Sequence, residues 1–357
     1  MKQQLSSSIG ILVGVVVLVS LSAVAGQAPS VPNVPKAAVP KKAAAKTAAA
    51  PKPWTPPRTP WGDPDLQGVW NDATSTPLQR PNDKGGKDVL SEDEAEEFQE
   101  QLAFNLTRDR RDGGADVDVN RAYNEHWMDA RRLKITEDRR TSLIVDPPDG
   151  RIPPTVPLPP ERQKARAERQ AANARFNAGL PETYRDMSLV TRCTIRTDLP
   201  PYLPTIYNND FQIFQSPGYV VIAPEMIHSA RIIPMDGRPH LGKNLRQWLG
   251  DTRGRWDGNT LVLETTNFRS DDGAVYQGAD TETFRITERF TRAGPNQINY
   301  EFTVQDPKTW TRPWTARIPW VKVDPEEQMF EYACHEDNYD VAHFLTGARK
   351  RERDGER

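Results

Sequence analysis

The chain has 357 residues, 36% hydrophobic and 27% charged, with a formal net charge of −2. Charge that nearly cancels gives nothing to suggest a nucleic-acid or polyanion binder, so no nucleic-acid partner is expected. The length allows one large domain or two small ones, and two cysteines without C-x-x-C spacing leave neither a cysteine redox motif nor a cysteine zinc site.

Residues 1–25 read as an export signal. Lys2 gives a positive start, residues 9–21 are apolar but shorter than the roughly 20 residues of a membrane span, and Ala23-Val24-Ala25 fits a cleavage site. An uncleaved N-terminal anchor is the alternative. The expected mature protein is periplasmic or secreted, with no membrane insertion after cleavage. Residues 26–60 are Ala, Pro and Lys with almost no large apolar side chain, too little to bury for folding. They predict a disordered linker ahead of a single domain over 61–346, followed by a charged tail over 347–357.

Residues 64–70, PDLQGVW, read as a short strand with a G-x-W pattern. A helix is predicted over 90–107, opened by a capping box of Ser91 and Glu94. A second is expected over 120–133, a strand over 141–145, a turn at Pro147-Pro148-Asp149-Gly150, and an Arg- and Ala-rich helix over 161–176 ended by Gly179. Together these make a largely helical insertion over about 82–190.

From residue 192 the pattern turns to strands, over 211–214, 219–223 and 229–233, with a hairpin turn at 215–218. In the stretch 248–268, WLGDTRGRWDGNTLVLETTNF, residues 250–254 read as a turn and Arg255-Trp256 as the start of a hairpin. Asp257-Gly258-Asn259 is its turn and 261–266 its second strand. Residues 283–291 alternate apolar and polar, broken only at Glu288, and 298–304 alternate without a break. Strands are also expected over 315–323 and 329–333. Period two means one buried and one wet face, the mark of antiparallel sheet. The expected fold is mainly β: an antiparallel up-and-down barrel or strongly curved sheet with a helical insertion.

Candidate chemistry gathers at strand ends. Glu225 and His228 lie at one junction, Asp251 and Arg253 in the central stretch, and His335 and Glu336 beyond the last expected strand. Histidine with a carboxylate can exchange protons near neutral pH, and arginine can hold a developing anion. These six form the candidate catalytic set. Trp248, Arg255, Trp256, His240, Trp310 and Trp314 form the candidate ligand-binding set, since indoles stack on aromatic or sugar ligands. For each His the plainer reading is a structural group, and for each Trp a core side chain. No metal-binding spacing is present, and no cofactor fingerprint or nucleophile elbow occurs. Cys193 and Cys334, the two cysteines of an exported chain, read as one disulfide, with two buried thiols as the alternative.

PDLQGVW (64–70), EMIHSARIIPMDGRPH (225–240), the 248–268 stretch and FEYACHEDNY (330–339) resemble a family of exported bacterial proteins that carries no established activity. More loosely, GRWDGNTLV and FRITERFTRAGPNQINYEFTV are similar to calycin or lipocalin-like barrels, which implies a barrel with a small-molecule cavity. Three functions follow: a barrel binding a partly hydrophobic, aromatic or sugar-like ligand; a lyase, isomerase or hydrolase using the His and carboxylate groups; or an envelope interaction or structural protein.

Overall fold

The computed structural model describes residues 54–106, 114, 132–196, 200–205, 207–269 and 278–355. The stretch expected to be an export signal, most of the expected linker and most of the helix expected over 120–133 lie outside these residues. Among the described residues the chain forms one ten-stranded antiparallel sheet and three α-helices. The strands are β1 (Gly68–Asn71), β2 (Ile144–Asp146), β3 (Asp210–Ser216), β4 (Tyr219–Pro224), β5 (Arg231–Pro234), β6 (Asp251–Asp257), β7 (Thr260–Thr266), β8 (Arg285–Gly294), β9 (Gln297–Gln305) and β10 (Trp314–Lys322).

The sheet is two meanders joined by one early strand. Its order is β5-β4-β3-β1-β10-β9-β8-β7-β6, with β2 paired to the rim of β10. The G-x-W strand β1 lies between β3 and β10 and is antiparallel to both. The sheet curls until β5 lies beside β6, giving a nearly closed barrel whose last seam has no backbone ladder among the described pairings. Glycine makes the approach possible. A Cβ on Gly254 of β6 would lie 3.0 Å from Ile233 Cγ2 on β5 and 3.2 Å from Leu263 Cδ2 on β7.

Alternation sorts the side chains. On β9, Ile298, Tyr300, Phe302 and Val304 face inward and are fully buried; on β10, Trp314, Ala316, Ile318 and Trp320 do the same. The centre is filled by rings. Trp320 stacks on Phe211 at 4.6 Å and meets Tyr300, Phe290 and Tyr202 at 5.1, 5.3 and 5.6 Å. Burying such rings supplies most of the driving force for closure, with offset and edge contacts adding on the order of 1 kcal/mol each.

The helices are α1 (Glu92–Leu106), α2 (Pro160–Asn177) and α3 (Asp340–Arg353). The capping box of α1 is present: Glu94 N–H donates to Ser91 Oγ at 3.2 Å and Ser91 N–H to Glu94 Oε2 at 2.8 Å. Helix α2 starts on proline, which needs no amide partner at that position, and ends at Gly179 with φ +72°. Arg351 of α3 donates to the Ala178 carbonyl at 2.8 Å, and Phe176 packs edge-on to Phe344 at 4.9 Å. The helix pair is therefore locked at the C-terminal end of α2.

Two expectations are corrected. Residues 250–254 are not a turn, because all but Gly250 belong to β6, which pairs with β7 over its whole length. Gly250 alone takes a left-handed conformation, φ +71°, where a Cβ would stand 2.8 Å from the Thr266 carbonyl oxygen. Residues 329–333 are not a strand. No sheet edge receives them, and Phe330 is 73% exposed. The segment is held instead by the Cys193–Cys334 disulfide. Beyond it, the region expected as a charged tail begins inside α3, which buries Ala348.

Candidate functional site

The break in alternation at Glu288 marks the most polar point of the interior. Glu288 faces inward from β8 and is fully buried; Arg231, at the start of β5, shares the inward side with Ile233 and is 4% exposed. Arg231 donates Nη1–H to Glu288 Oε1 at 2.9 Å and Nη2–H to Oε2 at 2.5 Å. The same Nη2 donates to Thr252 Oγ1 on β6 and Thr265 Oγ1 on β7, each at 3.1 Å. Tyr300 Oη donates to Glu288 Oε1 at 3.0 Å and accepts the Tyr202 N–H at 3.0 Å. The Arg231 guanidinium lies 5.3 Å from the centre of the Tyr202 ring. One guanidinium thus ties β5 to β6, β7 and β8 across the seam that lacks a ladder.

Burial opposes the charge on Arg231, but Glu288 beside it more than restores it, so its pKa lies above the ordinary arginine value. Burial pushes the Tyr202 hydroxyl up to about 12, with Arg231 opposing and Glu288 adding. Burial, reinforced by the Glu288 charge, raises Tyr300 well above its usual value too. Both tyrosines are therefore neutral in the folded protein at pH values where an unfolded chain would ionise them. Their contribution is complete below the unfolded pKa of about 10 and is lost as pH rises through the folded values. Urea unfolding is expected to show stability falling between about pH 10 and pH 12. The fall should be shallower in Tyr300→Phe; an unchanged slope in that variant would contradict the assignment.

The candidate catalytic residues are met in more than one place. Asp251 and Arg253 meet, but on the outer face of β6, and their histidine is His240. The buried Asp251 carboxylate accepts from His240 Nδ1 at 2.8 Å, from the Leu241 N–H at 2.9 Å and from Arg253 Nη1 at 2.6 Å. Arg253 Nε donates to the Pro239 carbonyl at 3.0 Å. This is a clamp that fixes residues 239–241 to the barrel wall. It also orients the His240 ring through Nδ1. His335 and Glu336 are exposed beside the disulfide. Glu225 lines a wide cleft of about 1530 Å³ with Asp210, Cys334 and Asp337. The His228 side chain lies outside the described part. Among the described residues, no three His, Cys, Asp or Glu side chains are grouped to hold a metal.

The candidate ligand-binding set is scattered as well. Trp310 and Trp314 are core side chains, 6.2 Å apart and edge-on. Trp256 is half-buried at the interior edge of β6 and packs on the core. Trp248 lies under the Arg269 guanidinium at 4.3 Å and packs against Leu189 and Ile195. Arg255 pairs with Glu264 at 2.7 Å on the solvent face. Each has a structural partner.

A cleft that the sequence did not indicate lies on the outside of the barrel. Residues 132–140 run over the outward faces of β9 and β10 and enclose about 750 Å³. Ile135, Pro319 and Val321 form apolar walls, while Lys134, Arg140 and Arg317 bring cations. Comparison with protein-family models gives no match to this chain, and comparison with curated proteins gives none either. The site is therefore read from its geometry alone. Glu288 had a sequence signal in the broken alternation, and Arg231 one in sharing parity with Ile233. Arg140 and Arg317 had none, because the contact between them spans 177 positions of chain.

Proposed function

We propose that the protein is an exported, small-molecule-binding barrel whose partly hydrophobic ligand sits against the outer faces of β9 and β10, under residues 132–140. The observation that carries this reading is the 750 Å³ cleft, which falls within the roughly 300–1,000 Å³ range of small-molecule sites. Its apolar wall of Ile135, Pro319 and Val321 offers burial, and the many polar and charged groups around it offer orientation. The ring-filled interior favours a site outside the barrel rather than within it. The disulfide supports an oxidising compartment, in keeping with the export signal. No helix among the described residues is long and apolar enough to cross a membrane. The Asp251 carboxylate is taken up by His240, the Leu241 N–H and Arg253, which counts against its pairing with the other candidate catalytic residues.

A thermal-shift screen over aromatic metabolites, sugars and lipids tests the reading. A ligand at roughly 100 times its Kd adds about 2.7 kcal/mol, worth several degrees in Tm for a domain of this size. Val321 is 53% exposed on the outer face of β10, so Val321→Trp should fill the cleft without disturbing the core. At least one compound is expected to raise the wild-type Tm, with the shift lost in Val321→Trp. Shifts that survive the substitution, or no shift from any compound, would contradict the proposed site.

A further inference from the structure

We propose that this cleft recognises an anionic group, a carboxylate or phosphate, between the guanidinium groups of Arg140 and Arg317; the inference rests on the cleft being the ligand site. Arg140 reaches the cleft from the end of the 132–140 segment with its side chain only 12% exposed. Its Nη2 donates to the Arg317 carbonyl at 2.8 Å. Its Nε is buried and has no hydrogen-bond acceptor. The nearest carboxylate, Asp138, stands 3.6 Å from that Nε and is 60% exposed, too far for a hydrogen bond and well screened by water. Arg317 projects from the outward face of β10 and places Nε and Nη2 on one oxygen of Glu301, at 3.1 and 2.8 Å.

Burial holds Arg140 below the ordinary arginine value; Asp138 opposes it, and the charge of Arg317 adds a smaller effect in the same direction as burial. An arginine in a protein does not shed its proton. Arg140 therefore keeps its charge largely out of water with its Nε–H unanswered, and an anion in the cleft would offset that cost, while Arg317, already paired with Glu301, would add a second positive charge beside it. The planar fork of guanidinium suits the two oxygens of a carboxylate or phosphate. Lys134 and Lys322 line the same cleft. Of the carboxylates that also line it, Glu327 pairs with Arg132, and Glu137 and Asp324 are exposed. The apolar walls of Ile135, Pro319 and Val321 would take the body of the ligand.

Calorimetric titration of the full chain with benzoate, decanoate and phenyl phosphate, alongside benzamide, decanamide and phenol, tests the proposal. At least one anion is expected to bind tenfold or more tighter than its neutral counterpart. Arg140→Ala should abolish that preference, so that the anion binds no tighter than its neutral counterpart in the same variant. Arg140→Lys, which keeps the charge but not the fork, should retain part of it, and unchanged circular dichroism would show that both variants fold. Preference for phenyl phosphate over the carboxylates would assign a phosphate, and the reverse a carboxylate. If neutral and anionic probes bind equally and Arg140→Ala has no effect, the anion assignment is overturned while the cleft stands. If no probe binds, or Val321→Trp leaves binding intact, the cleft reading falls with it.

Discussion

Glu288→Gln is expected to destabilise the protein by about 3–5 kcal/mol, because it leaves the Arg231 charge buried without its counter-ion. The geometry raises the stakes at this position. Arg231 and Glu288 are 3% and 0% exposed in their side chains, and the same guanidinium holds Thr252 and Thr265 across the β5–β6 seam. Removing one partner differs from removing both. Arg231→Met combined with Glu288→Leu takes away both charges and fills similar volume, so it should cost far less than Glu288→Gln alone. Urea unfolding of Arg231→Met, Glu288→Leu and the double variant closes a mutant cycle. A strongly favourable coupling between the sites is the expected result. Additive losses would mean that the pair does not act as a unit.

Reduction of the Cys193–Cys334 disulfide, or Cys334→Ser, is expected to cost about 2–5 kcal/mol. The bridge joins residues 141 positions apart, so in the chain-entropy view it constrains a large part of the unfolded ensemble. It is also the covalent anchor of the irregular segment between β10 and α3. That segment has no sheet partner, and Phe330 contributes little burial. Guanidinium unfolding with and without reductant measures the loss. Limited proteolysis should show new cleavage within residues 324–339 of the reduced protein before any within the barrel. Identical midpoints and cleavage patterns in the two states would contradict the role given to the bridge.

Much of the architecture was legible because alternation reports directly on a sheet with one buried face. Residues 298–304 declared β9, and the single fault in the alternation of β8, at Glu288, falls at the ionic centre of the barrel. The capping box at Ser91 and Glu94 fixed the start of α1 by local chemistry alone. Where composition and tertiary context disagreed, the reading failed. Gly250-Asp251-Thr252-Arg253-Gly254 has the make-up of a turn. Yet Gly254 is small so that β5 can approach, and Asp251 and Arg253 are polar because they face the 239–241 loop. Residues 329–333 have the make-up of a strand and no edge to join. The cleft stayed hidden for a different reason. Lys134 and Arg140 come from a connecting segment, Arg317 and Lys322 from β10, and only the curvature of the sheet and the path of the segment bring them together.

The most direct test of the central claim is a crystal structure of the protein soaked with the tightest-binding anion of the probe set. Density for the anion between Arg140 and Arg317, with its body against Pro319 and Val321, is the predicted result. Density inside the barrel beside Arg231 and Tyr202, or in the wide cleft beside Glu225 and Cys334, would contradict it.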